Sequence, residues 1–494
     1  MSILKHVTCI LLLILFADQS LLAQRMVTGV VTDDSNEPII GVNVWSKQMQ
    51  KGTATDLDGT FQIEVTDIDT LLFTYLGYGS VEIAISNQTD IEVTMIEDYE
   101  LLEEIIVVGY GTQKKKDVTG ATASVGEEEF NSGIVNSPEQ LIRGKVAGVE
   151  LIQNDGEPGS AFTVRIRGAS SIRAGNDPLY VIDGYPVNIN EPQLIQDSGA
   201  RGTRKNALEF LIPEDIASID ILKDASAAAI YGARGANGVV LITTKKGKAG
   251  QSQLSYSSYV GVSQLRQKFD VLSPDEYVQA LNDFGVTGQD FGARTDWQDE
   301  VYRNAYAHNH NLSINGGTEN SRYRASLNFK NEEGIIRTSE HTKYSGRINL
   351  QQTALQDKLK FELNLVASQI KDRRAPGSIV IGALSQNPTW PIRDADGNFF
   401  QSTPSPEFNH PVAELELYSN IINSTRVMSN LSISYEIFSG LEYKLNLGGD
   451  LSTASGKTFA YSQISMNNGN AAISDRQLNS NLIEHYLTYN RQIG

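Results

Sequence analysis

The sequence predicts a mainly β chain in three parts: a small N-terminal β-sandwich, an α/β domain, and a series of long strands patterned like part of a transmembrane antiparallel β-barrel. Three observations carry this. Short β-branched runs separated by Asp, Asn and Gly turns fill residues 25–98. Helix-start signals alternate with β-branched runs across 119–246. From 250 to 494 apolar and polar residues alternate over stretches of about ten residues, the length a tilted membrane strand needs. Of 494 residues, 40% are hydrophobic and 20% charged, which excludes a disordered chain and an α-helical membrane protein. A net charge of -18 opposes nucleic acid as a partner, since phosphates demand basic surface.

Residues 1–23 read as a cleaved signal peptide. Lys5 precedes the apolar run Ile10 to Phe16, and Leu21-Leu22-Ala23 closes on a small residue. That run is well short of the ~20 residues that span a bilayer. The single cysteine, Cys9, lies within residues 1–23, so the exported part offers no disulfide and no thiol chemistry. No later apolar run is long enough to span; membrane residence would require a β-barrel, which satisfies its backbone groups internally.

Residues 25–98 form the sandwich. Val27 to Thr32 is a β-branched strand ending in the turn Asp33-Asp34-Ser35-Asn36, and Gly41 to Trp45 alternates likewise. Asp58-Gly59 predicts a tight hairpin turn before Phe61 to Val65. Asp56 and Asp58 lack the further oxygen ligands of a calcium loop and read as turn formers. Residues 99–118 are a linker: an acidic stretch, the apolar strand Ile105-Ile106-Val107-Val108, then Lys114-Lys115-Lys116. Such a strand suits addition to the open edge of another sheet; composition equally allows an ordinary edge strand.

Residues 119–246 form the α/β domain. Ser137-Pro138-Glu139 predicts a helix start. Strands follow at Thr163 to Arg167 and Leu179 to Ile182, the latter ending in the turn Asp183-Gly184. A helix is expected from Pro213 to Ala217, a strand from Ser218 to Leu222, and a helix from Ala225 to Tyr231 capped by Asp224. Gly232, Gly235 and Gly238 follow a helix and precede the strand Val239 to Thr244, the reverse of a phosphate-binding loop.

Beyond 250, Tyr323, Ala325, Leu327 and Phe329 interleave with Arg324, Ser326, Asn328 and Lys330; segments at 359–365, 431–436 and 441–447 repeat the theme. A half-buried sheet in a soluble sandwich alternates identically, but these runs exceed the usual ~5–6 residues of soluble strands. About nine or ten strands of ~9–11 residues are expected here. Residues 371–423, rich in proline, read as a long external loop.

Three blocks resemble one family, the SusC/RagA-like TonB-linked outer-membrane transporters: "EEIIVVGYGTQKKKDVTGA" from Glu103, "GEPGSAFTVRIRGASSIRAGNDPLYVIDGYPV" from Gly156, and "ILKDASAAAIYGARGANGVVLITTKKGK" from Ile221. The order "GVVTD…PIIGVNV…GTATDLDGTF" resembles the carboxypeptidase regulatory-like domain, noncatalytic in that setting. The resemblance implies that 119–246 is a plug inside a barrel of about 22 strands, the size at which a lumen needs plugging. It implies Glu104, Ile105, Ile106, Val107 and Val108 as the strand that pairs with TonB, driven by TonB–ExbB–ExbD. It implies a SusD-like surface lipoprotein as partner, outer-membrane lipid around the barrel, and an oligosaccharide or peptide as cargo. The motif residues carried over are Arg165, Arg167, Gly168, Asp183, Gly184, Lys223, Asp224, Tyr231, Gly232 and Gly238. Arg165 and Arg167 are two apart and would share a strand face, expected to meet carboxylates of the barrel wall. Gly156 to Ser171 and 371–423 are candidates for substrate contact. With too few strands for 22, the chain is expected to be the N-terminal part of a longer transporter.

No catalytic, cofactor or metal site is predicted. The six histidines (His6, His308, His310, His341, His410, His485) show no H-E-x-x-H spacing, and neither a nucleophile elbow nor a Walker loop occurs. The competing readings are a secreted or surface-exposed soluble binding protein and a non-transporting fragment.

Overall fold

The computed structural model describes residues 24–490, apart from 67–68, 76–77, 86–87, 97–104, 109–110, 115–121, 169–174, 188–204, 225–227, 402–409 and 463–468. Residues 1–23, expected from the sequence to be a signal peptide, and 491–494 lie outside the described residues.

The first unit is a two-sheet sandwich. Strands β1 (Gln24–Thr32), β4 (Thr60–Thr66) and β7 (Asp90–Thr94) make one sheet in the order β4-β1-β7. Strands β2 (Asn43–Ser46), β3 (Lys51–Ala54), β5 (Asp69–Thr74) and β6 (Val81–Ile85) make the other, β3-β2-β5-β6. Alternate residues face inward, so Val27, Val31, Val44, Phe61, Ile63, Leu71 and Phe73 form the core. The Asp58-Gly59 turn is present, with Gly59 at φ 69, but it links strands of opposite sheets rather than a paired hairpin. Asp56 organises it: its carboxylate accepts from the Asp58 and Thr60 amides at 3.1 and 2.8 Å and from the Thr60 hydroxyl at 2.6 Å. These bonds to the ionised form hold its carboxyl below the usual range.

The linker contains β8 (Ile105–Val108) paired with β9 (Gly111–Lys114). The α/β domain is built on a five-stranded sheet, β10-β15-β16-β13-β14: Thr122–Gly126, Ile216–Leu222, Val239–Thr244, Leu179–Ile182 and Tyr185–Val187. A hairpin of β11 (Val149–Gln153) and β12 (Phe162–Ile166) accompanies it. Tyr180, Ile182, Ile219, Ile221, Val240 and Ile242 supply the core. The helical content is smaller than expected. Helix α1 (Pro138–Leu141) is a single turn whose Ser137 side chain makes no cap bond. Pro213–Asp215 is a 3-10 turn, because the β-branched Ile216, Ile219 and Ile221 take the chain into β15 where a helix was expected. Residues 225–227 lie outside the described set, and Ala229–Gly235 is 3-10 rather than α.

The remainder is one antiparallel sheet of eight strands in sequence order, not nine or ten: β17 (Gly250–Ser263), β18 (Ala305–Gly317), β19 (Ser321–Glu333), β20 (Glu340–Ala354), β21 (Leu359–Arg373), β22 (Tyr418–Phe438), β23 (Leu441–Ala460) and β24 (Asn470–Tyr489). The count is lower because β22, β23 and β24 run 21, 20 and 20 residues, about twice the expected length. Among the described residues β17 and β24 are the two ends of the sheet. The connections 318–320, 355–358 and 439–440 are short and lie at one end of the sheet, whereas the long 264–304 and 374–417 lie at the other, together with 334–339 and 461–469. The long ones carry α2 (Pro274–Asp283), α3 (Trp297–Val301), α4 (Ile379–Ser385) and α5 (Pro411–Leu417). Trp297, Val301, Ile379, Val412 and Leu415 pack α3, α4 and α5 together. No described helix is long and apolar enough to cross a membrane.

Candidate functional site: the plug–wall interface

In a period-2 strand one face must be covered; which face is covered separates a soluble sheet from a barrel wall. Here the polar face is covered. Asn309, Asn311 and Ser313 of β18, Arg324, Ser326, Asn328 and Lys330 of β19, and Lys343, Arg347 and Asn349 of β20 are all buried. Their apolar neighbours point outward: Leu327 is 65% exposed, Tyr344 54% and Leu350 45%. What covers the polar face is the α/β domain.

At Arg324, Lys343, Arg347 and Arg426 wall side chains donate and domain oxygens accept, whereas elsewhere the domain donates to the wall, as from Lys246 to Glu362 at 2.9 Å and from the Tyr185 hydroxyl to the Ser480 carbonyl at 3.4 Å. Arg324 places Nε and Nη2 at 3.1 and 2.6 Å from Asp215 Oδ1, and Ser326 donates to Asp215 Oδ2. Lys343 donates to the Glu209 and Leu211 carbonyls, both at 3.1 Å. Arg347 donates to the Lys245 carbonyl at 2.8 Å and to the Thr244 hydroxyl. Arg426, held by Asp450 of the wall at 3.0 and 2.7 Å, donates to the Ala207 carbonyl at 3.0 Å and stacks over Phe210. Asp215 is 1% exposed, so its charge is admissible only because it is paired.

Nearer the long connections, six charged groups form an alternating chain. Glu209 Oε1 lies 2.9 Å from His341 Nε2, and His341 Nδ1 lies 2.9 Å from Asp372. Lys205 bridges Asp372 at 3.0 Å and Glu157 at 3.2 Å, and Arg374 closes the chain on Glu157 with bonds of 2.9 and 2.8 Å. Glu157, Lys205 and Glu209 belong to the domain; His341, Asp372 and Arg374 belong to the wall. Burial works against the Glu209 carboxylate, but His341 outweighs it and holds the group below its ordinary range. Burial likewise works against the Lys205 ammonium, and Asp372 and Glu157 outweigh it, raising its pKa. Glu139 differs: burial outweighs the hydrogen bonds it accepts, among them that from Asn206 at 2.9 Å, and raises its pKa.

The motif residues predicted from sequence hold the domain together internally. Arg165 pairs with Asp177 at 3.2 Å and Arg167, at φ 57 just past the end of β12, pairs with Asp224; the expected wall carboxylates are replaced by carboxylates of the same domain. Lys223 donates to the Ala147 carbonyl at 2.8 Å. Asp183 and Gly184, at φ 47 and 85, are the two residues between the paired Ile182 and Tyr185, and Asp183 accepts from the Thr244 amide and hydroxyl at 2.9 and 2.6 Å. Gly168 and Gly238 both take φ 90, and a Cβ on Gly238 would stand 2.7 Å from Ile166. Tyr231 and Gly232 lie in the 3-10 segment. Glu104 lies outside the described residues, and Ile105 to Val108 form β8. Sequence reasoning missed Asp215, Glu157, Lys205 and Glu209. It grouped Arg324 with the alternation without assigning it a partner.

A compact domain seated on the polar inner face of a long antiparallel sheet defines a plugged-barrel protein. The comparisons agree. The TonB-dependent receptor plug domain matches residues 114–239 and the CarboxypepD_reg-like domain matches 27–107. The chain is 37% identical over 455 residues to the TonB-dependent receptor SusC of Bacteroides thetaiotaomicron, covering 86% of this chain and 44% of that one. It is 34% identical over 490 residues to the TonB-dependent receptor P3 of Formosa agariphila, covering 95% and 47%. Among solved structures, the RagAB peptide importer in its open-open state superposes with a TM-score of 0.65 at 22% identity, over 78% of this chain and 47% of that chain. The chain belongs to the SusC/RagA-like TonB-dependent receptors, and it spans about half the length of the relatives it matches.

Proposed function

We propose that this chain is the plug-bearing part of an outer-membrane transporter that imports oligosaccharides or peptides by TonB-driven movement of its plug. The observation that supports this most directly is the inverted sheet: buried Arg324, Lys343 and Asn349 within, exposed Leu327 and Leu350 without. A soluble binding protein would show Leu327 and Leu350 to water at a cost of about half of the ~1.5–3 kcal/mol of a fully exposed leucine, which lipid removes. The short connections face the periplasm and the long ones the exterior, where a SusD-like lipoprotein closes over the substrate. Ile105 to Val108 adds to a TonB sheet edge through its backbone.

Proline removes a donor from that edge, so Val107→Pro tests the reading. Expected is loss of uptake at an unchanged amount of detergent-extractable outer-membrane protein, with Val107→Ala transporting normally. Uptake unaffected by Val107→Pro refutes TonB pairing at this strand; recovery of the protein without detergent refutes membrane insertion.

A further inference from the structure

The outward face of the wall carries a groove with an unusual neighbour. Cross-strand register sets Leu312, Leu327, Gly346, Ala367 and Val427 side by side across β18 to β22. Gly346 and Ala367 have almost no side chain, so the surface drops between Leu327 and Val427. One row nearer the long connections stand Phe329 and Tyr344, their rings stacked at 4.9 Å, and then Gln369. The result is an open groove of about 720 Å³, floored by Gly346 and Ala367 and walled by Leu327, Phe329, Tyr344 and Gln369.

Beyond Gln369 the same face of β21 continues with Lys371 and Arg373, both exposed and both nearer the 374–417 connection. Neither makes an ion pair among the described residues. Lys371 stands opposite Thr342 and Asn423, both neutral. Arg373 stands opposite Glu340, whose Oε1 accepts from Asn331 Nδ2 at 2.8 Å. Two cations thus face one carboxylate, and the patch stays positive. From Ala367 to Lys371 the strand rises about 13 Å, and a lysine stem can bend back over part of that distance.

An occupant that uses both features is apolar at one end and anionic at the other. A soluble anion leaves the groove empty, and an uncharged lipid leaves the cations unanswered. We propose that the groove holds an acyl chain of a phosphate-bearing lipid of the surrounding leaflet, with Lys371 and Arg373 on its phosphate. The Lys371 ammonium acts as a point charge, and the Arg373 fork can bond two phosphate oxygens at once. The proposal rests on the reading of this face as the one that meets lipid.

Native mass spectrometry of the detergent-purified protein tests it, with dioleoyl phosphatidic acid and dioleoyl phosphatidylcholine as probes. Their chains are identical, and only the first carries a net negative head. Expected is retention of one phosphatidic acid, roughly tenfold or more tighter than phosphatidylcholine. Lys371→Gln should weaken phosphatidic acid about fivefold and leave phosphatidylcholine unchanged. Gly346→Trp should weaken both lipids by filling the groove; a Cβ there first meets Leu327 Cδ2, the end of a flexible side chain, at 3.3 Å, so the fold tolerates it. Lys360→Gln, at the opposite end of β21, should change neither. Equal retention of the two lipids, or retention unmoved by Lys371→Gln and Gly346→Trp, overturns the site. Displacement of phosphatidic acid by equimolar inorganic phosphate overturns it in favour of a free anion, and a doubled mass without bound lipid overturns it in favour of a second copy of the chain. Retention needs no transport: a lipid-holding protein that imports nothing sinks the import reading alone, and an importing protein that retains no phosphatidic acid sinks the lipid site alone.

Discussion

Asp215→Ala is the sharpest test of the plug–wall interface. The substitution removes the acceptor of two Arg324 bonds and one Ser326 bond. It leaves a guanidinium that is 8% exposed without its carboxylate. Removing one partner of a buried pair costs about 3–5 kcal/mol, mostly from the stranded charge. At 1.4 kcal/mol per tenfold, the seated plug should lose stability by a factor of roughly 10² to 10⁴. Native-state amide exchange in outer membranes reads this directly. The amides of β15 and β16 should exchange faster by that factor if opening proceeds by unseating of the plug. Asp215→Leu combined with Arg324→Met should recover most of the loss, because an apolar pair strands no charge. Exchange unchanged by Asp215→Ala, or a double variant as fast as the single, would refute the assignment of this pair as a seating contact.

Three further outcomes follow from neighbouring geometry. A Cβ on Gly448 would stand 2.4 Å from the Tyr185 ring, so Gly448→Val should weaken plug seating by about 1–3 kcal/mol, and added Tyr185→Ala should relieve it, read by protease release of the plug. Burial raises the Glu139 pKa above 4.5, so its unfavourable contribution is absent in acid and grows as pH rises from that value through the folded pKa. Glu139→Gln should therefore stabilise the plug at neutral pH and flatten its pH profile, measured by thermal unfolding. Trp297, 3% exposed with its Nε1 donating to the Asn387 carbonyl at 2.9 Å, anchors α3 on α4 and α5; Trp297→Ala should cost the loop layer about 3–5 kcal/mol and open 374–417 to proteolysis.

What was legible in the sequence follows periodicity. Alternation at Tyr323 to Lys330 gave the strands, but a period of two is symmetric and leaves open which face is covered. That choice became visible only once Arg324 and Asn328 were seen buried and Leu327 exposed. Local chemistry was equally readable: Asp183-Gly184 is a turn because both residues take positive φ. Pairings across the fold were not. Arg167 finds Asp224, 57 residues on, and Arg324 finds Asp215, 109 residues back, and no spacing rule encodes either. At Pro213-Glu214-Asp215 local signals misled, since a helix-start triplet precedes residues whose β preference prevails.

The composition of the interface bears on how a plug can be both secure and movable. An apolar interface of this extent would expose its whole hydrophobic area to water on separation, at about 25 cal/mol for each Å². The interface built here from Arg324–Asp215, Lys343 to carbonyls and the chain from Glu209 to Arg374 behaves differently. Such pairs are specific in position, and deleting one member is severe, yet their net contribution relative to hydrated partners is small because solvation offsets attraction. Water entering a parting interface re-solvates both members at once, which mutation of one member never does. Seating is thus exact in register and inexpensive to reverse, provided water is admitted.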